Sequence, residues 1–303
     1  MKLIILFFCL VPGSILSAQN IQVKSRYEIT TTASKVAHYP TINEDGNLLL
    51  YSTSSYKGLY LYDFETKSEI TVSTLQNSGY DPIFSNDNSK VFFRSTTFEN
   101  GRRYDALETY DLNTGNQQQM IAPKRDLHSA RSFHNGVLIQ ADDKLYKSTF
   151  GRVKSTVPVY ISSGNLRIYV YVNGKRMIIN PVKGENVNYI WASLSPDNTK
   201  ILFVAVGKGA FVCDLGGKII SSLGYLNAPV WYNDNWIVGM QDKDNGEFVT
   251  SSEILMITLD GKVKTQISTK NHIAMYPTAS SKSGRVVYAT ADGKLVVTEL
   301  TVN

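Results

Sequence analysis

Cysteine is nearly absent from this chain. Its 303 residues include two, Cys9 and Cys213. Cys9 lies in an apolar N-terminal stretch that reads as a removable leader, so one thiol remains and no internal disulfide can form. The core alone must hold the fold, and a chain of this length buries enough apolar surface to do so. Long hydrophobic runs are missing as well: after residue 18 nothing approaches the ~20 apolar residues of a membrane helix, so no span is expected. Charge is slight. Removing Lys2 with the leader leaves 30 basic against 26 acidic side chains, a balance of +4. The pairs Lys124-Arg125 and Arg102-Arg103 do not extend into basic runs, which excludes the clustered footprint of a nucleic-acid binder. No Gly-x-Ser-x-Gly elbow occurs, and no residues are left over to build an α/β-hydrolase around one. Helix-period segments, low-complexity tracts and linkers are also lacking, so residues 19–303 read as one domain.

The first eighteen residues are a different matter. Lys2 precedes an apolar run from Leu3 to Val11, then Pro12-Gly13, then the small residues Ser17 and Ala18. This is the pattern of a signal peptide, residues 1–18, cut near Ala18. Cys9 follows Phe7-Phe8 and lacks the small residue of a lipoprotein box. The expected product is exported, periplasmic or secreted.

Self-similarity organises the rest. A short strand enters a turn of Asp/Asn-Gly or Asp-Asn type, and β-branched and aromatic residues follow. The turns end at Gly46, Asn88, Gly136, Gly164, Asn198, Asn235 and Gly284, and the strongest copy runs from Ala192 to Leu215. Such turns accept the positive φ that tight hairpins need. A second hairpin follows most copies, as in Leu59–Asp63 into Glu69–Val72 and Phe211–Asp214 into Lys218–Ile220. Four strands per repeat, at about 40–45 residues, is one propeller blade, and stacked blades bury the faces a lone sheet leaves bare. The fold expected is an all-β propeller of seven four-stranded blades. Six is the alternative if Gly136 to Gly184 is one irregular blade. The last copy stops at Leu300 one strand short, while Ile21 to Thr32 offers an orphan strand. Pairing the two closes the ring and removes an exposed edge.

At Ser195-Pro-Asp-Asn-Thr-Lys-Ile-Leu-Phe203, with Val212-Cys-Asp-Leu-Gly-Gly217, the chain resembles the TolB-like, WD40-like (PD40 repeat) bacterial β-propellers. Tyr60-Leu-Tyr-Asp-Phe64 and Tyr110-Asp-Leu-Asn-Thr-Gly115 fit the second half of that repeat. One copy has an intact Ser-Pro-Asp and none has Ser-Pro-Asp-Gly, so the likeness is specific for fold and loose for function. The lack of an assembled nucleophile, base and orienting group, together with longer connections on one face, points to a non-enzymatic module in the cell envelope, without cofactor, that binds a protein or envelope-associated partner. Similar propellers in oligogalacturonate lyases imply the alternative, a polysaccharide-active enzyme with a histidine-lined metal site and a glycan ligand.

In a propeller, the connections into the inner strands share a face with those between second and third strands. His38, His128 and His272 fall there, each just ahead of an inner strand. Three imidazoles around one funnel supply a metal site or a base; the same positions also serve packing between blades. His134, beside Asn135-Gly136, falls on the opposite face as a turn residue. Two connections on the binding face are longer than their equivalents. One carries Arg102, Arg103 and Tyr104, and the other Asp242 and Asp244. Longer loops on one face are where repeat proteins bind. Asp63, Asp111 and Asp214 close third strands as turn acceptors. Trp191, Trp231 and Trp236 are expected in the sheet core. The alternating tyrosines fit half-buried strands, with an aromatic sugar platform as the second reading.

Overall fold

A computed structural model describes residues 21–32, 36–150 and 157–302. The leader, residues 1–18, and residues 151–156, between the third and fourth repeated turns, lie outside the described residues. Strand β1 (Ile21–Ile29) comes first. Blade 1 follows with β2 (His38–Ile42), β3 (Leu48–Ser52), β4 (Leu59–Asp63) and β5 (Glu69–Ser73). Blade 2 holds β6 (Ile83–Phe84), β7 (Lys90–Glu99), β8 (Arg102–Asp111) and β9 (Gln117–Lys124). Blade 3 holds β10 (Arg131–Phe133), β11 (Gly136–Ala141) and β12 (Lys144–Ser148), and blade 4 holds β13 (Val159–Gly164), β14 (Arg167–Val172) and β15 (Lys175–Ile179). Blade 5 comprises β16 (Tyr189–Leu194), β17 (Lys200–Ala205), β18 (Gly209–Asp214) and β19 (Ile219–Gly224). Blade 6 comprises β20 (Asn227–Asn233), β21 (Trp236–Asp244), β22 (Val249–Thr258) and β23 (Lys264–Gln266). Blade 7 comprises β24 (Ala274–Ser280), β25 (Arg285–Thr290) and β26 (Leu295–Val302), with β1 as its outer strand.

The count is therefore seven, and the stretch from Gly136 to Gly184 divides between blades 3 and 4. Among the described residues those two blades have three strands each and the other five have four. After β15, Pro181 lacks the N–H a ladder needs, and Gly184 and Asn186 take φ of 139° and 53°. Residues 180–187 return to the opposite face outside any strand. The ring closes as expected: β1 runs antiparallel to β26, with Ile21 opposite Val302 and Ile29 opposite Leu295. No helix among the described residues is long and apolar enough to cross a membrane.

Period-two alternation explains why stacking, and not one central core, holds the molecule. Successive residues of a strand point to opposite faces of its sheet, so each second strand feeds two interfaces. Leu49 and Tyr51 pack toward blade 7, with Val287, Ala289 and Leu295, while Leu50 packs toward blade 2, with Phe84, Val91 and Phe93. Ile201 and Phe203 meet blade 4, and Leu202 and Val204 meet blade 6. Seven apolar clusters result, one per blade boundary. The boundary between blades 3 and 4 is built on tyrosine: the buried Tyr160 hydroxyl donates to Ser129 O (2.8 Å) and accepts from Gln140 N (3.1 Å). Cys213 is fully buried at the boundary of blades 4 and 5, and burial pushes its thiol up to about 12, so it is a small hydrophobe.

Aspartates fix the turns. Asp63, Asp111 and Asp214 each accept two backbone N–H groups in the turn that follows, as expected. A second pattern, Ser/Thr-x-Asp, closes other turns: the hydroxyls of Ser85, Ser195, Thr258 and Thr290 donate to Asp87, Asp197, Asp260 and Asp292. Burial raises the Asp87 and Asp197 carboxyls, but these hydrogen bonds and, for Asp197, that of Lys200 outweigh it, so both titrate below the usual range. The hydroxyls of Thr258 and Thr290 lower Asp260 and Asp292, and Lys90 lowers Asp111 to about 2. Depressed folded-state values give stability that is present above the unfolded carboxylate value of about 3.9 and is lost as pH falls through the folded ones. Urea midpoints should fall steadily from about pH 5 to pH 2. Asp197→Asn should lower the midpoint at pH 7 and converge with the parent in acid; a constant offset across the series would remove this assignment.

Candidate binding face

A shared backbone feature shapes the mouth of the channel. In four inner strands the pairing slips at the same place, between His38 and Thr41, Ile190 and Ser193, Asn227 and Val230, and Met275 and Thr278. There Tyr39, Trp191, Ala228 and Tyr276, and ahead of the unslipped inner strand of blade 2 Asp81, sit at φ between 42° and 54°. A non-glycine residue there costs about 1–3 kcal/mol, and such bulges re-aim side chains. Proline follows four of the five, at Pro40, Pro82, Pro229 and Pro277, and disfavours the right-handed α region at the residue before it. Trp191, expected in the core, is therefore 40% exposed; Trp231 is half-buried and Trp236 is buried as expected.

Two of these residues, Tyr39 and Tyr276, join with Tyr56 and Tyr80 into a chain of four rings. Tyr276 of blade 7 meets Tyr39 of blade 1 at 4.7 Å, Tyr39 stacks on Tyr56 at 4.0 Å, and Tyr56 meets Tyr80, ahead of blade 2, edge-on at 5.2 Å. Burial, reinforced by neighbouring tyrosines, raises Tyr56 and Tyr276, so both remain neutral hydroxyls. Beyond Tyr80 lies Arg94, with its guanidinium 5.4 Å from the ring. Asp81, next in sequence, presents its surface to solvent yet has protein crowded around it. That desolvation raises its carboxyl above the ordinary range, against the pull of the Ser129 hydrogen bond and the Arg94 charge.

Arg94 is the node of the blade 2–3 boundary. It donates to Asp105 Oδ2 (3.1 Å), Leu127 O (2.8 Å) and His128 O (2.9 Å). Asp105 also receives the Thr96 hydroxyl and Arg103 Nε (3.0 Å). Both members of the Arg94–Asp105 pair are buried.

The two long connections are paired ribbons, which corrects their reading as loops. β7 and β8 stay in register to Glu99 opposite Arg102, and Asn100 and Gly101, both at positive φ, form the two-residue turn. β21 and β22 likewise pair out to Asp244 opposite Val249. In the blade 6 ribbon tip, Asp244 Oδ1 accepts Gly246 N, and Asn245 Oδ1 accepts Glu247 N and Phe248 N, so these oxygens serve the turn. On the blade 2 ribbon Arg102 is exposed, and Arg125 lies 5.8 Å over the Tyr104 ring.

The three histidines occupy separate neighbourhoods on this face. His38 lies beside Tyr39, and burial lowers its pKa, which keeps the imidazole neutral. His128 Nε2 is 3.2 Å from Asp126, and a Cβ on Gly164 would sit 3.4 Å from its Cε1, so the ring packs against blade 4. His272 lies 3.8 Å from Glu28 and lines a cleft with Asp242. No group of three or more His, Cys, Asp or Glu side chains among the described residues is arranged to hold a metal. His134 lies in the β10–β11 turn on the far face, at φ 54°. The ring chain and the Arg94 node escaped sequence reading; the recurring Tyr-Pro, Asp-Pro and Ala-Pro pairs were the signal for the ring chain, and Arg94 had none.

This arrangement of blades around a channel is that of a seven-bladed β-propeller. No protein-family profile matches the sequence, and no curated protein does. Among solved structures, a chain of a Mitotic Checkpoint Complex is 10% identical with a TM-score of 0.60, covering 99% of both chains. The Myceliophteria thermophila Cps50 (Swd1) β-propeller domain is 9% identical with a TM-score of 0.62, covering 91% of this chain and 99% of that one. TolB from Acinetobacter baumannii is 18% identical with a TM-score of 0.54, covering 80% of this chain and 56% of that one. At these identities the likeness is one of fold.

Proposed function

We propose that the chain is an exported, non-enzymatic interaction module that takes a protein partner across its ribbon-bearing face. The supporting observation is an asymmetry of exposed apolar groups. Leu75, Tyr80, Phe98, Trp191, Val206 and Phe248 are exposed on that face, and the last two lie in connections between second and third strands. The turns of the opposite face expose only Leu166 and Val263 among the described residues. Phe98 and Phe248, at 66% and 65% the most exposed of these, crown the two ribbons. Apolar groups on a polar rim, with arginines beside them, are the composition of protein interfaces. One structural neighbour comes from an assembly, the Mitotic Checkpoint Complex, which fits the same use of the fold.

Crosslinking capture in its native compartment, with the chain as bait, should recover a partner. Phe98→Asp and Phe248→Asp should lose it, whereas Leu166→Asp on the far face should keep it. Equal recovery by all three variants would remove the proposed face from consideration. The alternative, a metal-dependent glycan-cleaving enzyme, requires His38, His128 and His272 to converge, and each has other neighbours.

A further inference from the structure

A cleft of about 780 Å³ separates the blade 6 ribbon from the connection into blade 7, within the range that holds drug-sized ligands. Its walls are polar: Asp242 and Glu253 on one ribbon, Lys270 and His272 on the connection, and the amides of Gln241 and Gln266. With Lys243 also present, the lining includes two carboxylates and two ammonium groups, so the cleft carries no net sign. A phosphate or a uronate would gain nothing over a neutral ligand, and an apolar side chain would meet little beyond Ile273.

One ring stands at its edge. Tyr225 is 50% exposed, and it is held in place: Asn227 Nδ2 donates to the Tyr225 hydroxyl (3.1 Å) and to Asp242 Oδ1 (2.9 Å). A fixed aromatic face left half open to water is preorganised for a flat apolar surface. A sugar ring presents such a surface on its C–H side and a rim of hydroxyls that both donate and accept. The cleft supplies a counterpart for each: the Tyr225 ring for the face, carboxylates to accept, and amides and ammonium groups to donate. From this pairing we infer that the blade 6–7 cleft binds an uncharged oligosaccharide, with one sugar on Tyr225 and its hydroxyls shared with Asp242, the carboxylate that Asn227 holds beside that ring. The cleft adjoins the blade 7 end of the ring chain, where Asp242 acts on the Tyr276 hydroxyl, and the inference does not depend on a protein partner.

Calorimetric titration of the purified chain with cellotriose, maltotriose and triacetylchitotriose, with trigalacturonate as the charged comparison, tests it. At least one neutral trisaccharide should bind. Tyr225→Ala should weaken that binding about ten-fold, Asp242→Ala should weaken it too, and neither should change the thermal midpoint. Phe248→Asp, which bears on the protein-partner reading, should leave sugar affinity unchanged. Preference for trigalacturonate, no heat from any neutral trisaccharide at millimolar concentration, or unchanged affinity in Tyr225→Ala would each overturn the assignment.

Discussion

Deleting residues 21–29 should abolish cooperative folding. This strand is the outer member of blade 7, and its antiparallel ladder with β26 is the covalent chain's means of closing the circle. Ile29 is buried at the blade 7–1 boundary, and Ile21 and Val23 pack on the blade 6–7 cluster. Burial of Ile29 contributes about 1.5–3 kcal/mol, and each ladder hydrogen bond adds about 0.5–1.5 kcal/mol net. Summed along the strand, these rival the whole stability margin of about 5–15 kcal/mol of a folded domain. Loss of the strand also bares β26 as an unpaired edge, which invites aggregation. The truncated chain should therefore recover largely insoluble, or melt without a transition. Because Ile21 faces Val302, the same nine residues placed after Val302 through an Asn-Gly turn should restore the transition. A soluble truncated chain with an unchanged urea midpoint would show that the ring does not depend on this closure.

Removing the Arg94 guanidinium should cost about 3–5 kcal/mol, the usual penalty for stranding one partner of a buried ion pair. In Arg94→Met, Asp105 keeps only Thr96 and the half-exposed Arg103, and the carbonyls of Leu127 and His128 lose their donors. Replacing both partners, Arg94→Met with Asp105→Leu, should recover much of that loss, because apolar groups then fill the site without a bare charge. Urea unfolding of the single and double variants reads both effects. A single variant within about 1 kcal/mol of the parent would mean that water reaches Asp105 freely, contrary to its burial.

The architecture was legible because its signals are local and repeated. Asp/Asn-Gly and Ser-Pro-Asp turns each imply a hairpin, and stretches such as Ile201 to Val204 read as strands wherever they occur. The orphan strand at Ile21 was legible by elimination, since the last copy lacked a partner. The site was less so. Arg94 is an unremarkable residue of a strand in the sequence; its role comes from reaching across a blade boundary to Leu127 and His128, a contact no local pattern encodes. Trp191 was misplaced because alternation puts it in the sheet, whereas a backbone bulge turns it outward. The ribbons of blades 2 and 6 looked like loops because their charged residues mask a strand period that only the pairing reveals, although Asn100-Gly101 is a hairpin signal.

Ring closure by β1 also sets where the described chain enters and leaves the disc. Ile21 and Val302 lie opposite one another at the rim where β26 finishes, on the side away from the ribbons and the tyrosines. A tag, fluorophore or surface joined directly at Ile21 or Val302 is thus attached behind the disc, with the ribbon side turned outward. Immobilising the chain at either of these residues should leave both the aromatic mouth and the Tyr225 cleft accessible to what they bind.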